Sequence, residues 1–194
     1  MYKRLPLKKL SGQELFKNTK NRFSVSDFWQ YGFSNLNSNV LRGALAEFLV
    51  ENAIKDKQDI SIRNPWGDYD VKTKQGIRIE VKCSSYIQDW DQSKLSNIIF
   101  SGLKARTLYW SSAVNNKPQD NKKEYKADIY ILALLKHQDP MTLNILDLDQ
   151  WCFYVLSKKQ LKEVSGDKSS VSLARLEKYN IKPVSFNQIN KLIK

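Results

Sequence analysis

Asp70, Glu80 and Lys82 are the residues whose types and spacing most readily do chemistry in this chain. They lie in the stretch 68–85, DYDVKTKQGIRIEVKCSS. Its second half alternates: Ile77, Ile79, Val81 and Cys83 fall on one face of a strand, and Arg78, Glu80, Lys82 and Ser84 on the other. In the first half Tyr69 and Val71 are apolar between polar Asp68, Asp70 and Lys72. Lys74-Gln75-Gly76 suits a three-residue hairpin loop, with glycine where a left-handed residue is needed. That loop pairs Val71 with Ile79 and Tyr69 with Val81, and sets Asp70 opposite Glu80. A two-residue loop would set Asp70 across from Ile79 and mix the faces, a slip that one buried face disfavours. In the better register the Asp70 and Glu80 Cβ atoms lie roughly 5 Å apart. Carboxylates that close repel unless a proton or a cation sits between them. Lys82 shares the face of Glu80, and the set reads as a candidate metal-dependent hydrolytic site. The bland alternative is an exposed hairpin with a Glu–Lys–Asp surface network.

The element that must bring a further carboxylate to this hairpin is the stretch NVLRGALAEFLVENAIK, a helix over about residues 39–55 with Asn39 as its expected cap. Apolar residues surround much of it, so it should be largely buried. Glu47 and Glu51 lie one turn apart at the edge of its main apolar arc. A carboxylate there either takes a partner or sits at the solvent edge. Arg42-Gly43 suits a close approach of another backbone.

The remaining elements follow from pattern. Ser11 is expected to cap a short helix through Lys20, and Ser26 a turn of helix in the aromatic stretch Val25 to Phe33. Those aromatics are expected to pack on the domain rather than stack on bases. Ile60 to Arg63 reads as a short strand, and Asn64-Pro65-Trp66-Gly67 as a turn. Asn97 to Leu103, Ala127 to Leu135 and Gln150 to Leu156 read as strands, the second of them central and buried on both faces. The polar, lysine-rich segment 111–126 reads as a loop. Ser157 should cap a helix over about 158–164, the sequence VSLARLEKY a further helix, and Ser185 a basic amphipathic C-terminal helix. The fold class is therefore α/β, bordering on α+β, around one mixed central sheet flanked by helices. The domain organisation expected is a single domain over residues 1–194, with a core over about 39–135 and a C-terminal strand and helix extension over about 150–194.

Composition narrows the chemistry. The chain has 194 residues, 41% hydrophobic and 27% charged, which suits a globular protein with a substantial core. Two cysteines, Cys83 and Cys152, and one histidine, His137, cannot make a four-ligand structural zinc site. Cys83 and Cys152 read as buried reduced thiols, and a histidine-dependent hydrolase would rest on His137 alone. The net charge of +12 points to a polyanionic partner, nucleic acid before membrane. No apolar run reaches the roughly 18 residues of a membrane span, and MYKRLPLKKL lacks the apolar core of a signal peptide. The expected location is cytoplasmic.

With the helix before it, the hairpin resembles the PD-(D/E)xK nuclease superfamily, the restriction-endonuclease-like fold, in an uncharacterised bacterial or mobile-element branch. The matching residues are Glu47 in RGALAEFLV, Asp70 before a hydrophobic residue, and the tripeptide Glu80-Val81-Lys82. Tyr69 stands where the family places proline, and Asp68 and Asp70 share a face, so either could be the ligand; Asp70 is preferred because it lies opposite Glu80. The resemblance implies a Mg²⁺- or Mn²⁺-dependent endonuclease, with the ion held by Asp70, Glu80, the Val81 carbonyl and Glu47. Lys82 would position the attacking water and stabilise transition-state charge. Ser84, Ser85, Lys94, Lys104 and Arg106 would contact phosphate. The implied partner is nucleic acid, DNA first, with a homodimer left open. The competing readings are a non-catalytic nucleic-acid-binding protein on the same fold and an interaction protein of a mobile element.

Overall fold

The computed structural model of this protein describes residues 5–55, 60–65, 67–106 and 122–193. The chain forms two compact units, Met1–Leu36 and Asn37–Lys194.

The first unit does not contain the helix expected after Ser11. The Glu14 carboxylate instead accepts hydrogen bonds from the Ser11 and Gly12 backbone N–H groups, and Gly12 takes φ +94°. These bonds hold the Glu14 pKa down at about 2. The backbone then doubles back, with a bridge between Leu15 and Ser24 and the Phe16 and Phe23 rings stacked at 4.7 Å. The helix α1 spans Val25–Phe33. Its cap is Ser24 rather than Ser26, because Asp27 sits three residues on and closes a reciprocal capping box. No residue of α1 is buried, and Tyr31 is 90% exposed.

In the second unit, α2 spans Asn39–Ile54. Ser38 caps it, its hydroxyl accepting from Leu41 N at 3.4 Å, while Asn39 turns its side-chain oxygen to Arg42. The main sheet has the order β1 (Val71–Lys72), β2 (Arg78–Ser85), β4 (Ile129–Leu135), β5 (Trp151–Ser157). β1–β2 and β4–β5 are antiparallel and β2–β4 is parallel, so the sheet is mixed. The strand of the expected C-terminal extension therefore lies within the main sheet.

The period-2 pattern explains the layers. Ile79 and Val81 of β2, with Ile131, Ala133 and Leu135 of β4, pack under Ala46, Leu49 and Val50 of α2. Tyr130, Leu132 and Leu134 face the other way, onto a second cluster with Phe100, Leu161 and Leu176. That side is covered by α3 (Lys158–Ser165), α4 (Leu173–Lys178) and a small sheet of β3 (Ile99–Ser101) with β6 (Ser170–Ser172). The strand β4 is thus buried on both faces, as its unbroken apolar run implies. Ser157 caps α3 in a capping box with Gln160. The C-terminus is a 3-10 turn, Phe186–Gln188, and a single helical turn α5, Ile189–Leu192, shorter than the expected helix.

One ion pair sets the parallel register. Asp128 accepts from the Arg78 backbone N–H and from its guanidinium Nε and Nη2 at 2.6–3.0 Å, and the Asp128 N–H returns a bond to Arg78 O. The starts of β2 and β4 are clamped together, and Ile79 pairs with Ile129. The Ile60–Arg63 segment forms no strand, and most of the expected 111–126 loop lies outside the described residues. Gly43 has nothing within 4 Å of where a Cβ would stand, so no backbone approaches there.

Candidate active site

The hairpin register is the one the side chains require. Val71 pairs with Ile79 and Lys72 with Arg78, around a loop with Gly76 at φ +90°. The ladder stops at Val71, and the expected Tyr69–Val81 pair does not form. At that point the Asp70 side chain replaces the backbone. Its Oδ2 accepts from the Val81 N–H at 2.7 Å, while its own N–H donates to Ile79 O at 3.0 Å. The break turns Asp70 into a half-buried carboxylate fixed to the middle of β2. Asp68 remains exposed.

Glu80 and Lys82 stand on the β2 face opposite Ile79 and Val81, and Lys82 Nζ lies 2.5 Å from Glu80 Oε1. Gly102, at φ +73°, passes close to the lysine: a Cβ there would stand 3.7 Å from Lys82 Cε. Glu47 is held by Arg63 in a fork, Nε to Oε2 at 2.5 Å and Nη2 to Oε1 at 2.6 Å. These hydrogen bonds raise the Arg63 pKa. Of the two alternatives for Glu47, a partner or the solvent edge, the first holds; Arg63, sixteen residues on, leaves no local pattern that would announce it.

The electrostatics tie these groups together. Burial pushes the Asp70 carboxyl up to about 7, and the charges of Glu80 and Glu47 push the same way. The Val81 N–H and Lys82 oppose them. Glu80 is also raised, by burial first; Lys82 opposes this, and Glu47 and Asp68 add to it. Burial, with like charge behind it, therefore outweighs what the Val81 N–H and Lys82 offset at Asp70. Among the described residues no group of three or more His, Cys, Asp or Glu side chains is gathered to hold a metal ion. The donors present are the Asp70 and Glu80 carboxylates, near enough for Glu80 to raise Asp70, with the Glu47 carboxylate engaged by Arg63. That set suits Mg²⁺, which keeps several waters and takes one or two carboxylates rather than a complete protein cage.

The other sequence-predicted contacts scatter. Ser85 is 1% exposed and its hydroxyl donates to Ile87 O, so it offers nothing to a phosphate. Lys104 is drawn to Asp167, 2.9 Å from its carboxylate, and lies over the Tyr125 ring. Ser84 is half-buried, and Lys94 and Arg106 are exposed. Cys83 and Cys152 are free thiols; burial raises both, Cys83 to about 12. His137 bonds Thr142 at 2.8 Å in the loop after β4.

A mixed α/β domain with Asp70, Glu80 and Lys82 on one hairpin defines a candidate hydrolase of the nuclease class. Comparison with known families specifies it: the model of the bacteriophage T4 endonuclease IV family matches residues 16–175. The chain belongs to that family, and so to the nucleases. No curated protein matches it. No helix among the described residues is long and apolar enough to cross a membrane.

Proposed function

We propose that this chain is a metal-dependent endonuclease acting on DNA through a PD-(D/E)xK-type site on a restriction-endonuclease-like core. The observation that carries the reading is Asp70, fixed by the Val81 N–H beside Glu80 and Lys82 and raised to about 7 by burial first and by the Glu80 and Glu47 charges second. The endonuclease family and the +12 charge support a DNA substrate.

Asp70, Glu80 and the Val81 carbonyl would hold Mg²⁺ or Mn²⁺, with Glu47 joining directly or through water. When bound, the ion supplies positive charge that polarises the scissile phosphate and lowers the pKa of a coordinated water. The chain's own residues do the rest. Asp70 gives up its proton and is held in place by the Val81 N–H. Lys82, steadied by Glu80, positions the attacking water and stabilises negative charge on the phosphate oxygens as a P–O bond forms and the opposite P–O bond breaks. Arg63 keeps Glu47 oriented at the edge of the site. Lys94 and Arg106 remain as exposed phosphate contacts.

The test is paired. Asp70→Asn and Glu80→Gln should both abolish cleavage and the Mn²⁺-induced rise in melting temperature. DNA cleavage that persists undiminished in EDTA would contradict metal dependence, and intact binding without any cleavage would favour a non-catalytic binder.

A further inference from the structure

The loop after β2 is built for presentation. Its polar side chains turn inward. Gln88 donates to Ser85 O and Ser96 Oγ at 2.9 and 3.1 Å, and Gln92 donates to Tyr86 O and Ser96 Oγ at 3.2 and 3.0 Å. The Gln88 N–H in turn donates to Gln92 Oε1 at 2.7 Å. Arg42, 3% exposed on α2, pins the loop from below by donating to Gln88 Oε1 at 2.8 Å. A buried guanidinium with no carboxylate partner among the described residues is expensive, and its placement under a surface loop marks the loop's conformation as fixed.

The large apolar side chains of the loop turn outward instead. Trp90 is 54% exposed and Leu95 40%, and no described residue makes a ring contact or hydrogen bond with Trp90. Together with Ile87 and Pro140 they line an open cleft of about 430 Å³, with Lys94 and Asp91 at its edge. A rigid indole wall, an apolar floor, one cation and one carboxylate are the parts that hold a flat heteroaromatic ring next to a phosphate. The cleft opens directly off β2, so Ile87 lies within roughly 17 Å of Lys82 along the strand. That is about five nucleotide steps or fewer on one strand.

We propose that this cleft is a nucleobase-binding subsite of the substrate strand, in which Trp90 stacks on a base a few nucleotides from the scissile phosphate and Lys94 meets the adjoining phosphate. The proposal rests on the nuclease reading and adds to it a source of base preference.

Two measurements separate the failures. Wild type, Trp90→Phe and Trp90→Ala each digest a pool of DNA oligonucleotides of randomised sequence with Mn²⁺, and the cut ends are sequenced. Wild type and Trp90→Phe should share a base preference at a fixed offset from the cut; Trp90→Ala should still cut but lose that preference about tenfold or more. Separately, in EDTA, an oligonucleotide carrying 2-aminopurine should be quenched by wild type and bound about tenfold more weakly by Trp90→Ala. The same preference and the same quenching in Trp90→Ala would overturn the subsite. So would loss of self-association in Trp90→Ala with cleavage preference unchanged, which would make the cleft a contact between copies of the chain. If no protein cuts but quenching depends on Trp90, the subsite stands and the catalytic reading fails.

Discussion

Asp70 Oδ2 accepts the Val81 N–H at 2.7 Å, so a side chain occupies the place in the ladder that Tyr69 would fill in a continued hairpin. The carboxylate therefore has a structural and a chemical part that substitution can separate. Asp70→Asn keeps an acceptor for the Val81 N–H and removes the charge. Asp70→Ala leaves that N–H unpaired, at a cost of about 1–3 kcal/mol. Both variants should lose cleavage, while in chemical denaturation without metal only Asp70→Ala should be clearly less stable than wild type.

The crowded carboxylates also predict a pH dependence in the absence of metal. Asp70 titrates near 7 in the folded chain, against an ordinary value of 3.8. Between these values the folded state binds the proton and the unfolded state does not, so stability falls as pH rises from about 4 through 7. Glu80 is shifted in the same direction and adds to the loss. Asp128, held at about 2 by Arg78, changes stability only at lower pH. Melting temperature in EDTA should thus decline from pH 5 to 8, and either saturating Mn²⁺ or Asp70→Asn should flatten the decline. A flat wild-type profile in EDTA would contradict the raised Asp70 carboxyl.

Arg63 and Glu47 form a fork whose arginine is 47% exposed and whose glutamate is 15% exposed. Its contribution to stability should be modest, about 1 kcal/mol or less. Its electrostatic effect should be larger. Arg63→Ala frees Glu47 beside Asp70, which should tighten Mn²⁺ binding several-fold by calorimetry, and Glu47→Gln should weaken it.

The hairpin, the buried strand β4 and the cap of α3 were legible because each depends on local rules: alternation around Gly76, an unbroken apolar run, and Ser157 three residues before Gln160. The early end of β1 was not, since periodicity cannot show that an Asp70 side chain takes a backbone hydrogen bond. Ser170–Ser172 is too short and polar to read as a strand; it forms only because Ile99–Ser101 lies beside it. Arg42 is buried through partners that include Gln88, forty-six residues away, which no local pattern announces. At the site, the residue types were legible and the Arg63 partner was not, because a long-range ion pair leaves no periodic trace.

Gly102 packs beside Lys82 with a backbone conformation that other residues rarely adopt. Gly102→Ala should cost about 1 kcal/mol or more in stability through backbone strain. The added Cβ would stand in ordinary contact with Lys82 Cε at 3.7 Å, so cleavage per folded molecule should hold, and denaturation together with a cleavage time course would check both effects.

The most direct measurement is the cleavage of DNA with Mn²⁺ by wild type and Lys82→Ala, alongside DNA binding in EDTA. Lys82 is partly exposed and paired with Glu80, so its loss should leave the fold and DNA binding intact while slowing cleavage by about 10²- to 10⁴-fold. Cleavage by Lys82→Ala at the wild-type rate, or no cleavage of any DNA by the wild-type protein, would contradict the assignment of this hairpin as the active site.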